Sequence, residues 1–414
     1  MPPLNEEVSA VIRECFGDTP EFAQATGYKY PPENTGAAAL KSFKMQAKRA
    51  AEARARYVEP TTYEIDYVLY EMEQRYKAAR WELSPDWDTR ESFERALRRL
   101  DMQSSPGIPL MREAPTNGDW LRWEGCDGCP IQKDRLWLMV QDVMAGKYHH
   151  FWRVFIKEEP HKPSKAEEGR WRLIIAASLP VQIAWQMTFG KLNDKFIDTC
   201  FKTPSMQGLV YVGGGYKQFR TFCRMLQLRT CIDKSAWDFN SPGWVYFQVC
   251  LPLRRRLCIN PTEKWLQVAT ALYEDAYHNS VLQLEDGTTY QQLFRGFMKS
   301  GVVNTISDNS LGQVALHALA EKRLFNENDQ KRMSPILATG DDTIQRRSGD
   351  QYLDELEKAG CIVKECNDGY EFMGFDLNED FKPMYPTKHL VSIMHQKQEF
   401  VAQVLDSYMR MYIK

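Results

Sequence analysis

The chain has 414 residues, a formal net charge of −2, 43% hydrophobic and 12% aromatic residues, and ten cysteines without regular spacing. That content supplies a sizeable core and excludes wholesale disorder, and the length suits one large multi-lobed enzyme or two to three ordinary domains. The balanced charge says little about partners, because an even total can hide basic grooves, and the cysteines suit a reducing compartment better than a disulfide framework.

In chain order, the opening "MPPLNEEVSAVIREC" lacks a basic region followed by an apolar core and does not read as a signal peptide. Residues 36–56 are Ala-rich and basic, a helix whose Lys and Arg read as a solvated face rather than an RNA contact. Residues 62–101 read as further amphipathic helix, interrupted at "SPDWDT". A loop-rich stretch follows, "MQSSPGIPLMREAPTNGDW". Cys126 and Cys129, in "GCDGCP", have zinc-like spacing, but no second CxxC or HxxxH follows, so metal is the weaker reading there.

The segment 155–174, "FIKEEPHKPSKAEEGRWRLI", interleaves Lys157, Lys162, Lys165, Arg170 and Arg172 with Glu158, Glu159, Glu167 and Glu168. It is either an exposed mixed-charge loop or a cationic wall that neutralises a triphosphate, with Arg172 on a strand in "WRLII". The most apolar run, 173–185, contains Pro180 and Gln182 and is too short to span a bilayer, so the chain reads as a cytosolic-type soluble protein. "YVGGGYK" at 211–217 is not followed by G-K-[ST], so a phosphate loop of the NTPase kind is unsupported.

Past residue 225 the period shifts. "LRTCID" (228–233) reads as a short buried strand ending on a carboxylate, and 300–323 as a glycine loop followed by a helix. "PILAT" and "TIQRR" bracket Gly340-Asp341-Asp342 as two strands, "YLDELEKAG" is a helix closed by glycine, and "CIVKEC" and "YEFMGFDL" are strands. Together these predict an α+β core with an antiparallel sheet.

Adjacent aspartates at a hairpin tip are either a solvated turn or a cation site, because like charges side by side are costly unless something positive lies near them. If the strand ending at Asp233 lies beside that hairpin, Asp233 and Asp341 face one another, and oxygen donors of this kind suit Mg²⁺. Two such ions about 4 Å apart activate an attacking hydroxyl and stabilise a leaving pyrophosphate oxygen. Asp238 lies too far along for that set, and a place beside an incoming sugar suits it better. Ser300, Gly301, Thr305, Asn309 and Ser310 form S-G-x-x-x-T-x-x-x-N-S. Gly301 permits a loop that approaches a nucleic-acid backbone, and Thr305 and Asn309 share a helix face from which they could bond Asp238 and a ribose 2′-OH. The alternative is a glycine-initiated helix with a polar first turn.

These residues resemble one family, the RNA-dependent RNA polymerases of positive-strand RNA viruses, in the order of their elements as well as in each. "SSPGIPL" (104–110) is similar to motif G, "KEEPHK…GRWRLI" to motif F, "DKSAWD" to motif A, "SGVVNTISDNS" to motif B, "ATGDD" to motif C, "LEKAGCIVKE" to motif D and "YEFMGFDL" to motif E. The Trp before Asp238 and the short motif B resemble the sobemovirus and polerovirus group, whereas Lys234, Ala236 and Gln313 depart from what that group leads one to expect.

The resemblance implies a right-hand fold: an N-terminal extension at 1–60 that bridges fingers and thumb, fingers at 61–225 and 261–295, palm at 226–260 and 296–377, and a short thumb at 378–414. It implies RNA-templated nucleotidyl transfer from NTPs, with Asp233 and Asp341 as main ligands of Mg²⁺ (Mn²⁺ substituting) and Asp342 as a further one. Asp238 and Asn309 would read the ribose, supported by Ser300 and Thr305. Lys157 and Arg172 would hold the triphosphate, and Lys364, with Lys358 as fallback, would protonate departing pyrophosphate. Ser105, Pro106, Gly107 and Gly301 would guide the template. The implied partners are RNA template and product, NTPs, a protein primer and other viral replication proteins, in replication complexes of the host cytoplasm. A reverse transcriptase and a non-catalytic RNA-binding scaffold of the same fold are the competing readings.

Overall fold

The computed structural model describes every residue except 1, 2, 18, 20, 21, 23, 24, 26, 33, 34, 326–331, 347, 348, 379, 380, 413 and 414. Its strands, in chain order, are β1 (Trp152–Ile156), β2 (Leu173–Ala176), β3 (Thr230–Lys234), β4 (Val281–Gln283), β5 (Thr289–Gln291), β6 (Ile336–Thr339), β7 (Asp342–Gln345), β8 (Val363–Asp368), β9 (Glu371–Phe372), β10 (Phe375–Asp376) and β11 (Lys382–Pro383). They form three sheets, β2-β1-β4-β5, β6-β7-β3-β8 and β11-β10-β9, set among helices. The expected α+β class holds, and the sheet β6-β7-β3-β8 is antiparallel throughout.

Period-two alternation explains why that sheet is covered on both faces. Ile232, Ile336 and Ala338 join the main core, which holds most of helix Thr305–Leu324 and Leu356 of helix Asp350–Gly360. Cys231, Leu337 and Ile344 point the other way, into a second core with Phe219 and Cys223 of helix Gly215–Leu226. Strand β8 closes one edge with Val363 half-buried and its other five residues exposed.

Several element bounds differ from the sequence reading. "YEFMGFDL" is not one strand: Met373 and Gly374, both at positive φ, turn the chain between β9 and β10. The helix expected over 62–101 is Thr62–Tyr76 and Arg90–Leu97, with a single 3₁₀ turn, Lys77–Ala79, after the first. Arg172 lies one residue before β2 rather than within it, although its carbonyl still accepts from the Lys157 amide at 2.9 Å. Of "TIQRR", Arg347 lies outside the described residues.

The chain's two ends meet. Helix Glu6–Phe16 packs on helix Pro386–Met394 through Ile12, Ile393 and Met394, and the Asn5 amide donates to the Met394 carbonyl at 2.8 Å. Further along, Lys29 and His161 exchange backbone hydrogen bonds of 2.9 and 2.8 Å. Among the described residues no helix is long and apolar enough to cross a membrane.

One polar cluster is sealed in the main core. Arg254 and Asp308 are both fully buried and pair at 2.7 Å. The remaining valences are filled, because Arg254 also donates to Asn193 and Ser307, and Asp308 accepts from the hydroxyls of Tyr273 at 2.8 Å and Tyr277 at 3.1 Å. Removing one partner strands the other's charge in a dry interior. Asp308→Ala is therefore expected to destabilise the fold by about 3–5 kcal/mol, seen as a lowered thermal midpoint, and a midpoint equal to wild type would mean that water reaches Arg254.

Candidate active site

The carboxylates converge because two strand ends are neighbours. In the β3–β7 ladder Ile232 pairs with Thr343, so Asp233 and Asp342 are the next residues outward, on the face that also carries Cys231 and Ile344. Asp341 occupies the β6–β7 turn beside Gly340, whose φ of 60° gives the hairpin its tight reversal. The sequence reading set Asp233 opposite Asp341; the register sets it opposite Asp342, one residue on.

The charges feel each other. Burial first, then Asp341 and Asp233, pushes Asp342 up to about 6, against Lys234 and the Met373 amide, which donates to Asp342 at 3.1 Å. Asp341 is raised too, chiefly by the protein crowded round it, although its side chain remains open to solvent. Two ammonium groups offset the cluster. Lys364 of β8 pairs with Asp233. Lys234 points to the other face, where its buried Nζ donates to Thr343 Oγ1 at 2.6 Å and to the Ile232 carbonyl at 3.0 Å, and burial pulls it down to about 8.

Three carboxylates at adjacent strand ends offer hard oxygen donors, and the raised Asp341 and Asp342 are what a cation would relieve, so the donor chemistry fits a divalent ion. Among the described residues, however, no three His, Cys, Asp or Glu side chains already converge as a ligand set, at Cys126 and Cys129 or elsewhere.

Beside the carboxylates lies a second pair. Asn309 Nδ2 donates to Asp238 Oδ1 at 3.1 Å, and Asn309 Oδ1 accepts from Trp237 Nε1 at 2.8 Å, so the indole fixes which way the amide points. Ala236, at φ 46°, bends the chain out of β3 so that Trp237 and Asp238 open a short helix, Trp237–Asn240. Gly312 lets that indole lie against helix Thr305–Leu324, because a Cβ there would come within 3.2 Å of it. Burial, then the charge of Asp341, raises Asp238 to about 7, against Asn309 and Arg172.

Other expected site residues take different roles. Thr305 does not meet Asp238; its hydroxyl donates to backbone carbonyls of Val302, Lys299 and Ser300 at 2.6, 3.2 and 3.2 Å and closes the glycine loop. Ser300 Oγ accepts from the Ile175 amide, tying that loop to β2. Gly301 is required by protein packing, since a Cβ would stand 2.7 Å from Ala176 Cα. Gly107 is likewise buried against the backbone of Ala177 and Ser178, and Pro106 is buried, so of the three loop residues only Ser105 is even partly open to a template. Lys157 and Arg172 both pair with Glu159, at 3.3 and 3.0 Å. Lys165 sits among cations instead: burial, then Arg170, Arg172, Lys364 and Lys162 lower its ammonium, and no carboxylate among the described residues pairs with it. Lys358 is bound to Glu355 on the outer surface of its helix.

Sequence reasoning missed the parts played by three residues. Trp237 as holder of Asn309 carries no signal beyond its place before Asp238. Ser310, whose Oγ accepts from the Gly340 amide at 2.9 Å, ties the helix to the carboxylate turn. Tyr385, exposed beside Gly374, lies near enough to Asp233 and Asp342 for their charges to raise it after burial.

Comparison with known proteins gives the family. A family model described as viral RNA-dependent RNA polymerase matches residues 48–382. The replicase polyprotein P2AB of southern cowpea mosaic virus is 27% identical over 301 residues, 67% of this chain and 30% of that protein. Protein P1-P2 of potato leafroll virus is 26% identical over 389 residues, 83% of this chain and 34% of that protein. The RNA-directed RNA polymerase of mushroom bacilliform virus is 28% identical over 229 residues, 54% of this chain and 53% of that protein. The matched part is thus about a third of the first two relatives, which bear out the expected likeness to the sobemovirus and polerovirus group. With the family model covering most of its length and all its candidate site residues, this chain belongs to the viral RNA-dependent RNA polymerases of positive-strand RNA viruses.

Proposed function

We propose that the chain catalyses RNA-templated RNA synthesis, in which a primer 3′-OH attacks the α-phosphate of a template-selected NTP and pyrophosphate leaves. The observation that carries this reading is the juxtaposition of Asp233 with Asp341 and Asp342 at adjacent strand ends, beside the Asp238–Asn309 pair. Bound Mg²⁺, or Mn²⁺ in its place, would be held by Asp233, Asp341 and Asp342, and would supply Lewis-acid activation of the hydroxyl and charge neutralisation at the pyrophosphate.

The remaining roles belong to the chain's own side chains. Asp238 and Asn309 present a fixed acceptor and amide to the ribose, a combination suited to a 2′-OH. Arg172, Lys157 and Lys165, which pairs with no carboxylate among the described residues, line the approach of the triphosphate, and Arg172 is close enough for its charge to act on both Asp238 and Asp341. Lys364, on Asp233, is the ammonium nearest the carboxylates and the candidate acid for the leaving pyrophosphate.

In this reading β6-β7-β3-β8 is the palm, spanning 226–260 and 296–377. Residues 61–225 and 261–295 are fingers, 378–414 a short thumb, and 1–60 the bridge between fingers and thumb. The contacts of Glu6–Phe16 with Pro386–Met394 and of Lys29 with His161 support the bridging role. Within the 104–110 loop, the exposed Ser104 and half-buried Ser105 are the residues assigned to the template, with the exposed Gln103 just ahead of them. Action in replication complexes of the host cytoplasm, with a protein primer and other replication proteins, completes the proposal.

Primer extension on an RNA template with Mg²⁺ and four NTPs tests it, and incorporation of dNTPs in preference would favour a reverse transcriptase instead. Asp341→Asn is expected to abolish extension. Because Asp341 is raised above its usual range, its ionised form is disfavoured in the fold, and losing that charge should leave the thermal midpoint unchanged or higher. Wild-type extension by this variant would reduce the hairpin to a turn, and would favour the non-catalytic scaffold if Asp233→Asn behaved likewise.

Asn309→Ala removes the partner of Asp238 and leaves the Trp237 N–H unmet. Losing one hydrogen bond of this kind should erode GTP-over-dGTP discrimination by about 1–3 kcal/mol, roughly tenfold to over a hundredfold. The measurement is kcat/KM for GTP and dGTP opposite the same template cytosine, and an unchanged ratio would make Asn309 a helix residue only.

A further inference from the structure

Three cations converge on Glu159: Lys388 at 2.9 Å, Arg172 at 3.0 Å and Lys157 at 3.3 Å. The carboxylate is recessed, with 15% of its side chain exposed, while Arg172 and Lys157 extend from it with 58% and 42% exposed. The backbone beneath is fixed. His161 Nε2 accepts from the Arg172 amide at 3.1 Å, which leaves Nδ1 to carry the proton and donate to the Glu159 carbonyl at 2.8 Å. Lys388 comes from elsewhere: it lies on helix Pro386–Met394, whose other side packs on the N-terminal helix.

One carboxylate shared by three cations cannot hold each as firmly as it would hold two. Each added positive charge lowers the negative potential that the others feel, and a carboxylate has about four acceptor directions to distribute. A triphosphate approaching the site competes with Glu159 for Arg172 and Lys157, but it has no corresponding claim on Lys388, which is the least exposed of the three at 29%.

We propose that Lys388 is a positioning residue for NTP binding: by occupying part of the Glu159 carboxylate, it sets how readily Arg172 and Lys157 pass from Glu159 to an incoming triphosphate. The inference rests on the reading that those two side chains face the triphosphate. It makes the placement of the C-terminal helix, and of the N-terminal helix packed on it, a determinant of nucleotide affinity. Lys388 touches neither substrate nor the carboxylates of the reaction and acts only through Glu159.

The test is a double-mutant cycle on steady-state primer extension. Lys388→Ala is expected to raise KM for GTP by about threefold to tenfold, with kcat and the Kd for template RNA within twofold of wild type, and Lys388→Arg is expected to restore KM. In a Glu159→Gln background, Lys388→Ala should change KM no further. Lys388→Met, which keeps an unbranched apolar stem but no charge, should behave as Lys388→Ala, and a normal thermal midpoint for it separates lost charge from lost packing. An unchanged KM in the single variants, or an equal rise in both backgrounds, overturns the role of Lys388. Failure of the wild-type protein to make RNA from NTPs would instead overturn the polymerase reading.

Discussion

The buried pair of Arg254 and Asp308 is the constraint from which the site is built. It sits within four consecutive polar residues, 307–310, all buried near the start of helix Thr305–Leu324. Successive helix residues point about 100° apart, so four in a row aim in four directions. Each finds a different partner: Ser307 meets Asn193, Asp308 meets Arg254, Asn309 meets Asp238, and Ser310 meets the Gly340 amide. One turn of helix thereby ties a neighbouring helix, the Asp238 carboxylate and the carboxylate hairpin together. A polar cluster with every member satisfied rigidifies its surroundings, whereas a half-satisfied one would be worse than an apolar core. The rotation of this helix is thus fixed by chemistry as well as by packing, and with it the placement of Asn309.

The carboxylate cluster is arranged on the opposite principle. Its members sit where their charges repel, and the fold tempers that repulsion from two sides, with buried Lys234 on one face of the sheet and exposed Lys364 on the other. Lys234, a departure from the pattern of the related group, is accommodated because Thr343 Oγ1 and the Ile232 carbonyl accept hydrogen bonds from its ammonium. The burial of an ammonium near three aspartates lowers the cost of holding them together.

Local order was legible in the sequence, and long-range pairing was not. Alternation and glycine placement located β3, β6, β7 and the Asp341–Asp342 turn, and helical spacing put Asn309 on a face that meets Asp238. The same spacing misassigned Thr305, which stands at the first helical position, where a hydroxyl finds loose carbonyls before it finds another element. The spacing also gave no hint that Gly301 and Gly107 each let one protein segment lie against another, because that requires the neighbour's coordinates. The contacts that fix the site join residues far apart in the chain, 54 for Arg254–Asp308, 72 for Trp237–Asn309 and 229 for Glu159–Lys388. No periodicity encodes which buried donor meets which acceptor over such separations.

The open flank of the central sheet has a consequence of its own. Strand β6 is shielded, because the Met206 amide and the Pro204 carbonyl bond to Ala338, whereas β8 turns a row of backbone groups outward. Such an edge invites a second copy of the strand to add on, and charged side chains are the usual deterrent. β8 carries Lys364, Glu365 and Asp368 in its six residues. Lys364 therefore answers to two demands at once, neutralising Asp233 inside the molecule and keeping sister molecules apart outside it. A sequence drifting toward apolar residues along β8 would trade solubility for nothing in the core, which leaves this strand less free to vary than its exposure alone would suggest.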